Sequence, residues 1–422
     1  MHRLKEIFIA LAALLTAGLM TGCVYDDYSA ETPLPEEEDN RQFVSLFINV
    51  GMASPTRADA PAGELMHSLR IILVDAVKNQ IEYNTFIGGL ENATEWSSQG
   101  PNGVWVFRTE PGAKKIFFIA NEDCTSNVNG AAGSLTALLN GVRPDDNGTD
   151  FENKISNAYF TPDFDKGLVL SSSYEFTVDT SDKTHTDENN VYTPDTFYLV
   201  HNATKFEFRF ENYRESDVTI EELTLSALAG ADGKAGEGDM YLMANLDESE
   251  KTKKAPDGTE KYWIYWLYDV CRDTTATPEL PGNATINENY GWIAKYALPS
   301  TAAEHNPLDI KAKLDSSVSS WTIPAGNNNT LNLPIFYASE SRYNVNNEDG
   351  LQQYTFDIKL KDAAGIEKDF NDQELKNLKA LFRNTHVIVT ATVTGKEEEM
   401  ELRLKIGICP WDEETIVIPP FD

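Results

Sequence analysis

Of the side chains able to do chemistry, the four cysteines come first, and one of them stands in a pattern that predicts a reaction. Cys23 follows Met20, Thr21 and Gly22 at the end of an apolar run over residues 7–20, which is preceded by a polar opening with His2, Arg3 and Lys5. A small residue directly before a cysteine at the end of such a run builds a lipoprotein signal. Residues 1–22 are then removed, and Cys23, as the new N-terminus, carries the acyl chains (palmitate among them) that anchor the chain. The run is too short to span a bilayer, which takes about 20 apolar residues. An ordinary secretory signal with a cysteine there by chance is the alternative. Cys124, Cys271 and Cys409 form no C-x-x-C pair and lie far apart, so zinc and redox motifs are not read from them. They are expected to be buried apolar side chains.

The remaining candidates are weak. There is no G-x-S-x-G elbow, no H-E-x-x-H and no Rossmann glycine fingerprint, and the six histidines show no ligand spacing. Residues 230–236 are glycine-rich around Lys234 but lack the Walker spacing and its Ser/Thr, so they read as a flexible loop. Asp145, Asp146, Asn147 and Asp150 could offer oxygens to calcium, as could Asn344, Asn346, Asn347 and Asp349. Neither run has the full calcium-loop pattern with its closing Glu. A pair of carboxylates for glycoside hydrolysis could be assembled from the 67 acids only by the fold. No catalytic residue, no cofactor site and no metal site is assigned, and the chain is not expected to be an enzyme.

The elements that would position such groups are strands. Residues 43–50 alternate, with Val44, Leu46, Ile48 and Val50 on one face and Phe43, Ser45, Phe47 and Asn49 on the other. Further strands are predicted at 68–74, 103–107, 115–121, 205–210, 261–267, 354–360, 386–393 and 400–408. Two short helices are predicted, one over 134–139 on Leu135, Leu138 and Leu139, the other over 372–382 on Leu375, Leu378 and Phe382. Strands without regular intervening helices argue for an all-β chain of two β-sandwich domains with a few short helices. The organisation expected is a signal peptide over 1–22, an acidic tether and strand over 23–57, an N-terminal sandwich over 58–199 and a C-terminal sandwich over 200–422. A chain of 422 residues is about the right length for two such cores. With a net charge of −32 its surface repels phosphate backbones, so no nucleic-acid partner is expected.

Several segments together resemble the fimbrillins, the shaft subunits of the type V pili of Bacteroidales bacteria. They are Cys23 with the strand 43–50 and Thr56-Arg57-Ala58, residues 111–121 ending in Ala120-Asn121, His201 to Phe206, Arg383-Asn384 with the strand that follows (without the family's tyrosine), and Cys409-Pro410-Trp411. Acids such as Glu36, Glu37, Glu38 and Asp39 soon after the cysteine resemble the surface-export signal of lipoproteins from the same bacteria. The resemblance implies a fimbrial structural subunit at the cell surface, held in the outer membrane by its lipid until processed. An arginine-specific protease would cut between Arg57 and Ala58, the propeptide strand carrying Val44, Leu46, Ile48 and Val50 would leave, and a neighbouring subunit's strand would fill the groove. The tail is the expected donor, with Ile416 and Ile418 filling one row of pockets and Val417 and Phe421 facing the other way. The partners implied are other fimbrial subunits. The rival readings are a tip or anchor subunit, or a surface glycan-binding lipoprotein in which Trp96, Trp105, Trp263, Trp266 and Trp292 stack on sugars. Against the last stands core packing of the same tryptophans.

Overall fold

The computed structural model describes residues 43–52, 61–100, 104–227, 239–243, 308–326, 329–339, 354–375, 381, 383–396 and 399–411. Its strands, in chain order, begin with β1 (Val44–Leu46), β2 (Asn49–Met52), β3 (Met66–Asp75), β4 (Gln80–Ala93), β5 (Glu95–Ser97), β6 (Phe107–Thr109), β7 (Gly112–Ala120) and β8 (Thr125–Val128). They continue with β9 (Ala131–Ala132), β10 (Tyr159–Pro162), β11 (Leu170–Val178), β12 (Val191–Tyr192), β13 (Phe197–His201), β14 (Thr204–Asn212), β15 (Val218–Ala227) and β16 (Met240–Tyr241). The last are β17 (Leu308–Asp309), β18 (Thr322–Ile323), β19 (Thr330–Asn332), β20 (Phe336–Ala338), β21 (Tyr354–Asp362), β22 (Glu367–Glu374), β23 (Thr385–Thr394) and β24 (Glu401–Pro410). Short helices are α1 (Leu135–Asn140), α2 (Gly148–Ser156) and α3 (Ile310–Leu314). The chain is all-β.

A seven-stranded sheet in the order β4-β3-β7-β11-β13-β2-β5 faces a three-stranded sheet, β12-β1-β6, across a core that runs from Val44 to Leu199. A second core contains no residue before Phe206 and lies among the sheets β19-β14-β23-β24 and β17-β15-β21-β22. There the alternation at 206–210 works as period-two patterning requires. Phe206, Phe208 and Phe210 are all buried, and Phe206 and Phe208 stack on Phe336 with centroids 5.3 and 5.9 Å apart. A third core covers the other face of the seven-stranded sheet with α1 and α2, and it takes in Met240, Leu242 and Met243 from the later half of the chain.

Three expectations are corrected. The strand 43–50 is two strands, broken at Phe47 and Ile48. Of the strand expected at 103–107, residues 104–107 are described, and among these only Phe107 joins a ladder, as the first residue of β6. The helix over 372–382 is replaced at its start by the end of β22, which pairs with β21 through Thr355 opposite Glu374 and continues with Leu375 N donating to Tyr354 O at 2.7 Å. Sheet pairing overrides the helical spacing there; residues 376–380 and 382, and the strand 261–267, lie outside the described residues. The helix α1 forms over the expected residues, with Leu135 and Leu139 buried. Helices α2 and α3 are additional. Asn147 caps α2 by accepting from Asp150 N at 3.0 Å, and Asp309 caps α3 by accepting from Ala312 N at 2.9 Å. Of the oxygens read as candidate calcium ligands at 145–150, Asn147 Oδ1 thus accepts locally, and so does Asp146 Oδ2, from Arg143 N at 2.7 Å.

Candidate functional site

The first described segment is a guest between two sheets. β1 lies in the middle of its sheet, parallel to β12 and antiparallel to β6, with Leu46 opposite both Tyr192 and Phe107. Three residues later the chain has changed sheets, and β2 lies parallel to β13 and antiparallel to β5. The crossing is held by Ser98, which is fully buried. Its Oγ accepts from Ile48 N at 3.0 Å and its N donates to Ile48 O at 2.9 Å. Val44, Leu46, Ile48 and Val50 are each at most 1% exposed, because the same face points inward in both sheets. Burying four such side chains contributes about 6–12 kcal/mol, at roughly 1.5–3 each. Among the described residues β6 has no strand neighbour but β1, and β12 has besides β1 only a bridge from Tyr192 to Thr186, so removing this segment would leave open edges as well as an apolar groove. Phe43, at the entrance, is 41% exposed and lies under the Arg108 guanidinium at 5.5 Å.

Ten residues beyond the end of β2 comes a 3-10 turn, Ala62–Glu64, and Glu64 is buried at 1% exposure. Its carboxylate accepts from Lys205 Nζ at 3.0 Å, from the Tyr337 hydroxyl at 2.7 Å and from Trp411 Nε1 at 3.0 Å. Burial would push the Glu64 carboxyl up, but Lys205, His201 and the Tyr337 hydroxyl outweigh it, and its pKa lies below the usual 4.5. The same burial drives the Tyr337 hydroxyl far up. Trp411 is sandwiched between His201 (centroids 4.2 Å apart, 7° between planes) and Tyr337 (5.9 Å, 9°), with Lys205 Nζ 5.3 Å above its ring. His201 Nε2 donates to Glu64 O at 2.9 Å, and burial holds the imidazole below its ordinary pKa. Beside it Arg383, fully buried, donates to Asn202 Oδ1 at 3.1 Å, to Leu242 O at 3.2 Å and to Tyr241 O at 2.8 Å. This cluster joins the two halves of the chain.

Three of the segments that carried the sequence resemblance therefore meet in one place: His201 to Lys205, Arg383 with Asn384, and Trp411. The fourth member, Glu64, has no sequence signal of its own, since one more acid among 67 is invisible until the fold buries it. Cys23, Arg57, Ala58, Ile416, Val417, Ile418 and Phe421 lie outside the described residues, as do Trp263, Trp266, Trp292 and Cys271. Trp96 is 7% exposed, and the half-buried Trp105 packs against the same core. Cys124 is buried, with its thiol pushed up to about 12 by desolvation and by Asp123 and Asp163. Among the described residues no helix is long and apolar enough to cross a membrane.

No protein-family model matches the chain, and no curated protein matches it. Solved structures do resemble it. The tip fimbrial protein Mfa3 of Porphyromonas gingivalis, with a C-terminal truncation, is 13% identical over 88% of this chain and 100% of its own, with a TM-score of 0.44. A fimbrilin of Porphyromonas gingivalis W83 is 12% identical over 89% and 98%, with a TM-score of 0.43. A fimbrial assembly protein of Parabacteroides distasonis ATCC 8503 is 10% identical over 87% and 100%, with a TM-score of 0.40. These structure neighbours are fimbrial proteins of Bacteroidales bacteria.

Proposed function

We propose that this chain is a structural, non-enzymatic subunit of a cell-surface fimbria that polymerises by exchanging its first strand for a neighbour's. In this reading it is exported as a lipoprotein on Cys23, held at the outer membrane by its lipid, and cut between Arg57 and Ala58 by an arginine-specific protease. The observation that carries it is the insertion of residues 44–52 between β12 and β6 and then between β13 and β5, upstream of the sequence Thr56-Arg57-Ala58. A segment that is interior to both sheets, yet joined to the rest through a stretch with a cleavable arginine, would be freed by one cut. The tail then supplies the replacement, Ile416 and Ile418 in one row of pockets and Val417 and Phe421 in the other. Pro419 and Pro420 cannot donate to a ladder, so pairing is confined to Ile418 and before.

N-terminal sequencing of the surface-exposed form tests the cut: a start at Ala58 supports it, and a start at Cys23 refutes it. Electron microscopy of a chain truncated before residue 412 tests the donor. Folded monomers without filaments are expected, and filaments of normal length would refute the role of the tail.

A further inference from the structure

Outside the groove, three potential metal ligands from separate parts of the sequence meet at one end of the seven-stranded sheet. His67 enters on β3, and Asp123 and Cys124 sit on the turn that follows β7. His67 Nε2 lies 2.8 Å from Asp123 Oδ1, and the Cys124 Sγ lies within 4.8 Å of both. Linear spacing hides the cluster, for His67 and Asp123 are 56 residues apart.

The backbone around the cluster is held by Asn121. This residue is fully buried at φ 57°, in the left-handed region. Its Oδ1 accepts from His67 N at 2.9 Å, its own carbonyl accepts from Cys124 N at 2.9 Å, and its Nδ2 donates to Leu65 O at 2.9 Å and Leu168 O at 2.8 Å. One side chain thus fixes the start of β3 against the turn that carries the other two groups. On the far side Asp163 N donates to Cys124 O at 3.0 Å, and Lys166 pairs with the Asp163 carboxylate at 2.8 Å. Gly167 closes over the thiol, where a Cβ would stand 3.3 Å from Sγ. The titratable groups facing the cysteine are therefore His67, Asp123, Asp163 and Lys166.

We propose that His67 Nε2, Asp123 Oδ1 and Cys124 Sγ form a three-ligand site for a divalent cation of borderline softness, zinc above all, with the fourth position open to water on the exposed side of His67 and Asp123. The donor set of one imidazole, one carboxylate and one thiolate is that of zinc rather than of calcium or magnesium, which take oxygen alone. Tetrahedral bonds of about 2.0–2.3 Å place ligand atoms roughly 3.3–3.6 Å apart. The His67–Asp123 pair must open slightly and Sγ must close in, both movements of side chains on a fixed backbone. On binding, the Cys124 thiol forms an S–Zn bond and gives its proton to solvent. The ring proton of His67 moves to Nδ1, leaving Nε2 free to coordinate. Without a cation, a thiolate here would meet two carboxylates in a buried place, and the group stays a thiol. With one, the same carboxylates favour binding.

Cobalt and zinc titrations of the full chain in detergent test the site. Cobalt is expected to bind at one equivalent with a thiolate-to-metal charge-transfer band, and zinc is expected to displace it. Cys124→Ser should abolish the band and Cys271→Ser should leave it. His67→Ala and Asp123→Asn should each weaken zinc binding at least tenfold. Both replaced residues are partly exposed, so these two variants keep the test open even if Cys124→Ser does not fold. Zinc should raise the melting temperature of the unaltered chain and not that of His67→Ala. A chain without the charge-transfer band, a band that survives Cys124→Ser, or zinc affinity unchanged in both His67→Ala and Asp123→Asn would overturn the proposal.

Discussion

Leu46→Ala separates the uncut chain from the filament. Leu46 is fully buried at the centre of the β12-β1-β6 sheet, in the core shared with Phe107 and Tyr192. Truncating a leucine in such a site costs about 2–5 kcal/mol in lost transfer and residual cavity. For a domain of roughly 150 residues this lowers the melting temperature by about 5–15 °C. Differential scanning calorimetry of the uncut chain should show that drop. Ser45→Ala, on the opposite and half-buried face of the same strand, should stay within about 0.5 kcal/mol of the unaltered chain. Filaments assembled from cleaved Leu46→Ala chains should melt as unaltered filaments do, because residue 46 has left with the propeptide. If the filaments lose stability by the same amount, the strand is retained in them and strand exchange at this groove is refuted. An uncut chain whose melting temperature does not move would refute the packing argument itself.

Three further outcomes follow from the geometry. Ser98→Ala removes the partner of Ile48 N at the crossing between sheets and should cost the uncut chain about 1–3 kcal/mol, read by denaturant unfolding. Glu64→Ala strands a buried ammonium, an indole N–H and a phenol, and should cost about 3–5 kcal/mol with a concurrent change in Trp411 fluorescence; stability equal to the unaltered chain would refute the cluster. The His386 imidazole, with Nε2 3.5 Å from Oε2, and Arg209, whose Nε donates to Oε1 at 2.6 Å, bring the Glu207 carboxyl down against burial from 4.5 to about 2. A carboxyl lowered on folding stabilises fully above its unfolded pKa and less as pH falls, so Glu207→Gln should flatten the stability profile between pH 4.5 and 2.

Period-two patterning made the strands legible because each has one face on a core, as at Val44 to Val50 and Phe206 to Phe210. It could not show that the first strand changes sheets. The inward face is the same before and after the crossing, and the pivot, Ser98, is a lone hydroxyl 50 residues away. The helix expected at 372–382 shows the opposite limit: Leu375, Leu378 and Phe382 have helical spacing, but β21 offers a ladder edge that the local pattern does not record. The small helices α2 and α3 had a readable sign, a capping Asn or Asp before each. At 145–150 that sign competed with a reading of the same oxygens as calcium ligands. Glu64 and the His67–Asp123–Cys124 group were illegible for a common reason. Each depends on residues from distant strands whose meeting is decided by sheet order.

That sheet order puts both ends of the proposed exchange on one cluster. Glu64 lies near the start of the chain that would remain after a cut at Arg57, and its carboxylate holds Trp411, the last residue before the tail. Removing the first strand would pull on the chain just before Glu64, and seating the tail in a neighbour would pull on the chain just after Trp411. Both pulls would meet the same carboxylate, which is joined to Lys205 and Tyr337 of the second half and stacked through Trp411 on His201. An ion pair buried with its remaining donors satisfied does not yield to either pull by small steps, because separating the charges leaves each one unpaired in an apolar place. In the proposed exchange this joint would hold the two halves together while the groove empties, and tension along such a filament would pass through Glu64 and Trp411.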